Sequence, residues 1–197
     1  MIDSFKKRLL PNLYLITGSD PCQVNPFLKR LEQCLLDGLS LVQLRAKELS
    51  LEQYRNLAAE VIKLAKKYDA KVLLNTSDPR IVMPLNADGI HVTSHLLMQL
   101  TERPVPKNKY FSAACHNEDE LKRAASMGAD LVTLSPVLPT RTHPDAPPLG
   151  WDAFKQLCSL VDLPIFALGG LSRTDLETVT RNGGYGIAGI DAFWGMK

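Results

Sequence analysis

Cysteine is scarce and unpatterned in this chain: Cys22, Cys34, Cys115 and Cys158 lie far apart and form no C-x-x-C. That excludes a disulfide framework and suits a reduced, intracellular protein with isolated thiols, so the cytoplasm is the expected compartment. No apolar run reaches membrane length, and the opening MIDSFKKRLLPN has no apolar core long enough for a signal peptide, so no membrane partner is expected. Neither sign of charge is in excess. The formal net charge of +2 is too near neutral to argue for nucleic acid. The nearest basic clusters, Lys6-Lys7-Arg8 and Lys63 to Lys67, read as solvated helix faces. Four histidines without ligand spacing give no ground for a zinc site.

What the chain does have is a regular alternation of short apolar runs and amphipathic stretches. A length of 197 residues, 45% of them apolar, suffices for one domain with a core, spanning 1–197. The pattern predicts strands over Leu13–Thr17, Leu39–Arg45, Lys71–Asn75, Gly89–Val92, Tyr110–Ala114, Leu131–Ser135, Pro164–Leu168 and Tyr185–Gly189. Helices are expected near Asn25–Leu36, Leu51–Tyr68, Pro79–Leu85, Ser94–Leu100, Glu118–Met127, Trp151–Leu160 and Arg173–Arg181, with a stub over Asp191–Met196. Eight strands with helical crossovers give the α/β class and a compact single (β/α)8 TIM barrel with a truncated last helix. Trp151 and Trp194 are expected to anchor helices to that barrel.

The second strand carries the first chemical clue. In Leu41-Val42-Gln43-Leu44-Arg45-Ala46-Lys47 the apolar Val42 and Leu44 share one side, while Gln43, Arg45 and Lys47 share the other. The outward side of a barrel strand packs on helices, so the polar trio points inward or up at the rim. An arginine buried without partners is costly. Either an anionic ligand or an internal salt bridge must answer it. Asn75 ends the third strand and reaches the same mouth, and His116, past the fifth, either folds back as a cap or touches a ligand. His91 reads as a structural hydrogen-bonder. Gly169-Gly170 after the seventh strand and Gly189 ending the eighth stand where barrels often bind phosphate on backbone N–H groups.

Six segments then carry a resemblance over essentially the whole chain: Leu13–Thr17, Val42–Lys47, Ala87–Val92, Ser135–Thr140, Ala167–Leu171 and Gly186–Ala188. In order and spacing they resemble thiamine-phosphate synthase and its TenI relatives. The stretch Pro139–Trp151, with Phe193-Trp194, is similar to barrels fused behind a Nudix (MutT-like) domain, so a Nudix partner is part of that resemblance. The likeness implies that a pyrimidine diphosphate and a thiazole phosphate are joined, Mg2+ holding the departing pyrophosphate. It implies a diphosphate-binding group of Gln43, Arg45, Lys47 and Asn75, all present.

The two implied metal carboxylates are missing. Thr76 and Leu96 stand in their places, with Asp78 one insertion away from the first. The implied loop lysine is His143, the fifth-strand serine is Ala114, and the residue that should donate to the thiazole phosphate is Asp191, expected here as a helix N-cap. Mg2+ is usually held by one or two carboxylates plus phosphates. The expectation from these departures is therefore a metal-independent, TenI-like tautomerase (an isomerase) without a cofactor, acting on a small phosphorylated heteroaromatic ligand. Its acid–base candidates are His143 and His116, because histidine titrates near neutrality. The substrate-binding set is Gln43, Arg45, Lys47, Asn75, Thr140, Gly169, Gly170, Gly189 and Ile190. A Mg2+-dependent synthase and a non-catalytic binding barrel stay open as alternatives, and so does a homo-oligomer.

Overall fold

The structure is a computed structural model that describes residues 10–18, 20–140 and 147–195. The strands are β1 (Leu13–Ile16), β2 (Leu41–Leu44), β3 (Lys71–Asn75), β4 (Gly89–Val92), β5 (Tyr110–Cys115), β6 (Leu131–Leu134), β7 (Ile165–Ala167) and β8 (Gly186–Gly189). All pair in parallel, in sequence order, and β8 closes the ring on β1. Period-two alternation sorts their side chains. Val42, Leu44, Val72, Leu74, Ile90 and Ile165 join the outer core under the helices, whereas Tyr14, Ile16, Leu41, Leu73, Leu131 and Phe166 fill the lumen. The closed barrel expected from the pattern is the one found.

The helices are α1 (Val24–Leu36), α2 (Leu51–Lys66), α3 (Ser94–Gln99), α4 (Glu118–Ser126), α5 (Gly150–Cys158), α6 (Leu176–Arg181) and α7 (Asp191–Trp194). Their starts follow capping chemistry. Ser50 and Gln53 form a reciprocal capping box on α2, Thr93 accepts from Leu96 N–H, and Asn117 accepts from Glu120 N–H. Two expected helices differ. Pro79–Leu85 is only a 3-10 turn at Pro79–Ile81, because Pro84 has no N–H to continue the ladder. The expected Arg173–Arg181 helix opens with a separate 3-10 turn, Arg173–Asp175, before α6.

The stub helix α7 is held from outside. Trp194 packs on Phe27 of α1 with ring centroids 4.7 Å apart. A Cβ at Gly18 would lie 2.1 Å from the Trp194 ring, so that position admits only glycine. Four residues are too few to satisfy their own carbonyls. The Arg30 guanidinium of α1 does it for them, donating to the carbonyls of Trp194 (2.9 Å), Phe193 (3.2 Å) and Gly195. Arg30→Ala is expected to lower stability by about 2 kcal/mol, the worth of a charge-assisted contact. Arg30→Lys should recover only part of the loss, lacking the planar fork. Urea unfolding of the three proteins checks both expectations.

Candidate active site

The mouth on the β1–β3 side is cationic. Gln43 faces the lumen at 1% exposure, so continuing the β2 alternation puts Arg45 on the lumen side of the rim and Lys47 beyond it. Thr17, fully buried at the end of β1, brackets the Arg45 backbone. Its Oγ1 accepts from Arg45 N–H at 2.9 Å and donates to Arg45 C=O at 3.0 Å. The half-buried Arg45 side chain has no ion pair or hydrogen bond among the described residues, nor has exposed Lys47. Of the two readings left open above, the internal salt bridge is therefore absent among the described residues.

Beneath the rim lies a polar layer. Asn75 Nδ2 donates to Gln43 Oε1 at 2.8 Å, and Gln43 Nε2 faces Tyr14 Oη at 3.4 Å. His91 Nδ1 and Ser112 Oγ are 2.8 Å apart. Burial pushes the Tyr14 phenol up and the His91 imidazole down to about 3, so both are neutral at physiological pH. His91 is the structural hydrogen-bonder its surroundings suggested. Thr17, Tyr14 and Ser112 were not among the residues singled out from the sequence. The alternation argument, extended to β1 and β5, finds the latter two.

The opposite side of the mouth is a pocket of about 300 Å³ formed by the loops after β6, β7 and β8. Pro139, Thr140, Gly169, Gly170, Gly189, Ile190 and Asp191 line it, which brings five of the expected binding residues together. Gly169 and Gly170 have φ of 100° and 70°, and a Cβ at Gly170 would lie 2.5 Å from the Pro139 carbonyl. Side chains there would be strained and would block the loop after β6. Asp191 is the first residue of α7, not its cap; that position is Ile190, with no side-chain cap. Asp191 is exposed, and its carboxylate has no partner among the described residues.

The remaining candidates are scattered. His116 folds back: its Nδ1 lies 2.8 Å from the Ser135 carbonyl and its N–H donates to Glu120. His143 lies outside the described residues. Past β3, Asp78 is bound by Arg80 through Nε (2.7 Å) and Nη2 (3.0 Å), which holds its carboxyl below the usual carboxylate range. Leu96 offers no oxygen ligand. Among the described residues no three His, Cys, Asp or Glu side chains gather as a metal site. The described residues do not make the paired-carboxylate Mg2+ site that the resemblance implies.

Residues 13–193 match the family model described as thiamine monophosphate synthase. A protein of Aquifex aeolicus, provisionally named thiamine-phosphate synthase 2, is 38% identical over 93% of this chain and 98% of its own length. The thiamine-phosphate synthase of Alkaliphilus oremlandii is 31% identical over 94% of this chain and 88% of its own. Among solved structures, the thiamine phosphate pyrophosphorylase of Pyrococcus furiosus superposes with a TM-score of 0.76 at 22% identity, covering 94% of this chain and 88% of that one. These relatives overturn the expectation of a tautomerase in preference to a synthase. That expectation rested on two missing carboxylates and took their loss to undo the stabilisation of a leaving diphosphate. Arg45 and Lys47, without a counter-charge among the described residues, already stand at the same mouth.

The depressed His91 pKa has a measurable consequence. Its folded value of about 3 lies below the ordinary 6.5, so between those values the unfolded chain binds a proton that the folded one refuses. Stability from this group is complete above pH 6.5 and declines as pH falls toward 3, by up to about tenfold in the folding constant per pH unit. Urea melts across that window should show close to one proton taken up on unfolding that His91→Gln lacks. Identical pH slopes would contradict the buried, neutral imidazole.

Proposed function

Because this chain belongs to the thiamine monophosphate synthase family, we propose that it is a transferase joining a pyrimidine diphosphate to a thiazole phosphate. The observation that carries this reading is the half-buried Arg45, free of any counter-charge among the described residues, with Lys47 beside it at the rim. In the reaction the bond between the pyrimidine methylene carbon and the diphosphate oxygen breaks, and its electron pair leaves with pyrophosphate. The thiazole nitrogen lone pair then forms the new carbon–nitrogen bond. Arg45 and Lys47 meet the negative charge as it grows on the leaving group, the role that preorganised charge serves best. The pocket of Gly169, Gly170 and Gly189 holds the thiazole phosphate on backbone N–H groups.

No step is assigned to Mg2+, since Asp78 is engaged by Arg80 and Thr76 and Leu96 supply no carboxylate. By its 139–151 segment we also place the chain near the barrels that occur fused to Nudix domains, a kinship supported by sequence alone.

Incubation with both substrates should yield thiamine phosphate and pyrophosphate in equal amounts, and Arg45→Ala should reduce kcat/KM by about a hundredfold or more. Tight binding of both substrates without product would leave a ligand-binding barrel instead.

The second expectation concerns Asp191, which is among the residues lining this pocket. Two like charges about 4 Å apart repel by roughly 1 kcal/mol even at the dielectric of water. Asp191→Ser should therefore tighten thiazole phosphate about fivefold by calorimetry, and an unchanged affinity would mean that the carboxylate points away from the ligand.

A further inference from the structure

β1 ends at Ile16 and β2 at Leu44, one residue short of the half-buried Arg45. The parallel ladder between them pairs Leu15 with Val42 and Ile16 with Gln43, and it carries on to Thr17 N–H, which donates to the Gln43 carbonyl at 3.0 Å. In a parallel ladder the next bond would run from Arg45 N–H to the Thr17 carbonyl. Here Arg45 N–H donates to the Thr17 hydroxyl instead, at 2.9 Å, and that hydroxyl gives its own hydrogen to the Arg45 carbonyl at 3.0 Å. A hydroxyl has one hydrogen and two lone pairs, so both bonds form at once.

The two bonds act on different peptide planes. Arg45 N–H belongs to the plane before its Cα, and Arg45 C=O to the plane after it. Only φ and ψ are soft, so holding both planes fixes the direction in which the side chain leaves the backbone. No contact further out does this work, because the Arg45 side chain has no ion pair or hydrogen bond among the described residues. The anchor itself is held on both sides. Thr17 is fully buried, its N–H is engaged in the ladder, and a Cβ on the neighbouring Gly18 would fall 2.1 Å from the Trp194 ring. We infer that Thr17 is a positioning residue: its hydroxyl sets the direction of the Arg45 side chain at the rim, and with it the reach of that cation toward a bound diphosphate. The inference deepens the proposed function and rests on it in one respect, that Arg45 meets the diphosphate.

Calorimetry with inorganic pyrophosphate, and turnover of both substrates by the full chain, test it. Thr17→Val keeps the branched shape and removes the hydroxyl. It should weaken pyrophosphate and lower kcat about tenfold each, less than the loss on removing Arg45 because the cation is misdirected and not deleted. Thr17→Ser should restore both, and the affinity for thiazole phosphate alone, across the mouth, should be unchanged in either variant. Added to Arg45→Ala, Thr17→Val should cost nothing further. Thr17→Ala and Thr17→Ser differ in the hydroxyl alone and make the same comparison if the valine variant fails to fold. Wild-type affinity and kcat in Thr17→Val, or losses that add in the double variant, overturn the positioning role and leave the proposed function standing. Equal weakening of both ligands does the same, since it marks a general loosening of the barrel. If neither hydroxyl-free variant folds, the hydroxyl is a condition of the fold and the positioning role is again overturned. An Arg45→Ala protein that binds pyrophosphate and turns over like wild type overturns both.

Discussion

Gln43 sits in the barrel lumen at 1% exposure, where water cannot complete its hydrogen bonds, and both ends of its amide must find partners inside the ring. That requirement organises its neighbours. Asn75 is drawn in on one side and Tyr14 on the other, and an apolar residue at position 43 would leave both unmatched. Below this layer the lumen is filled by close-packed rings, with Tyr14 and Phe166 at 5.5 Å and Phe166 and Tyr185 at 5.4 Å. Above it, Arg45 and Lys47 have no counter-charge among the described residues. The polar layer is the floor on which the site stands, and it separates a packed core from an open mouth.

The two halves of the mouth use different physics for the same purpose. On β2 the positive charge is carried by long side chains, and only the Arg45 backbone is fixed, through Thr17. After β7, Gly169 and Gly170 take conformations that a side chain would strain, and on the proposed function the work there falls to backbone groups. A large polyanion suits the first half because guanidinium and ammonium groups can follow a changing charge distribution. On the proposed function a single compact phosphate suits the second, held by backbone N–H groups. Asp191 is the acidic residue in that wall, and on the proposed function it weakens the hold on ligands of high negative charge.

Most of the fold was legible in the sequence, since parallel strands buried on both faces announce themselves as short apolar runs at regular spacing. Gln43 and Arg45 could be placed because two polar residues interrupt such a run with period two. Where legibility failed, the cause was local or relational. Pro84 removed one donor and reduced a helix to a 3-10 turn. Asp191 looked like a cap, but Ile190 occupies that position and the aspartate begins the helix. The tautomerase expectation gave two absent carboxylates more weight than the likeness of the whole chain, and no sequence pattern showed that Arg45 lacks a salt-bridge partner among the described residues. Tyr14 and Ser112 were hidden in another way: a tyrosine or serine in a strand reads as ordinary core until its neighbours across the lumen are known.

The clasp between Arg30 and the carbonyls of Phe193, Trp194 and Gly195 joins residues more than 160 positions apart in the chain. A contact of that separation forms late, after the intervening strands have lined up, because the loop it closes includes nearly the whole barrel. Because β8 must pair with β1 before α7 can lie against α1, the clasp reports closure of the whole ring and not the formation of any one strand pair.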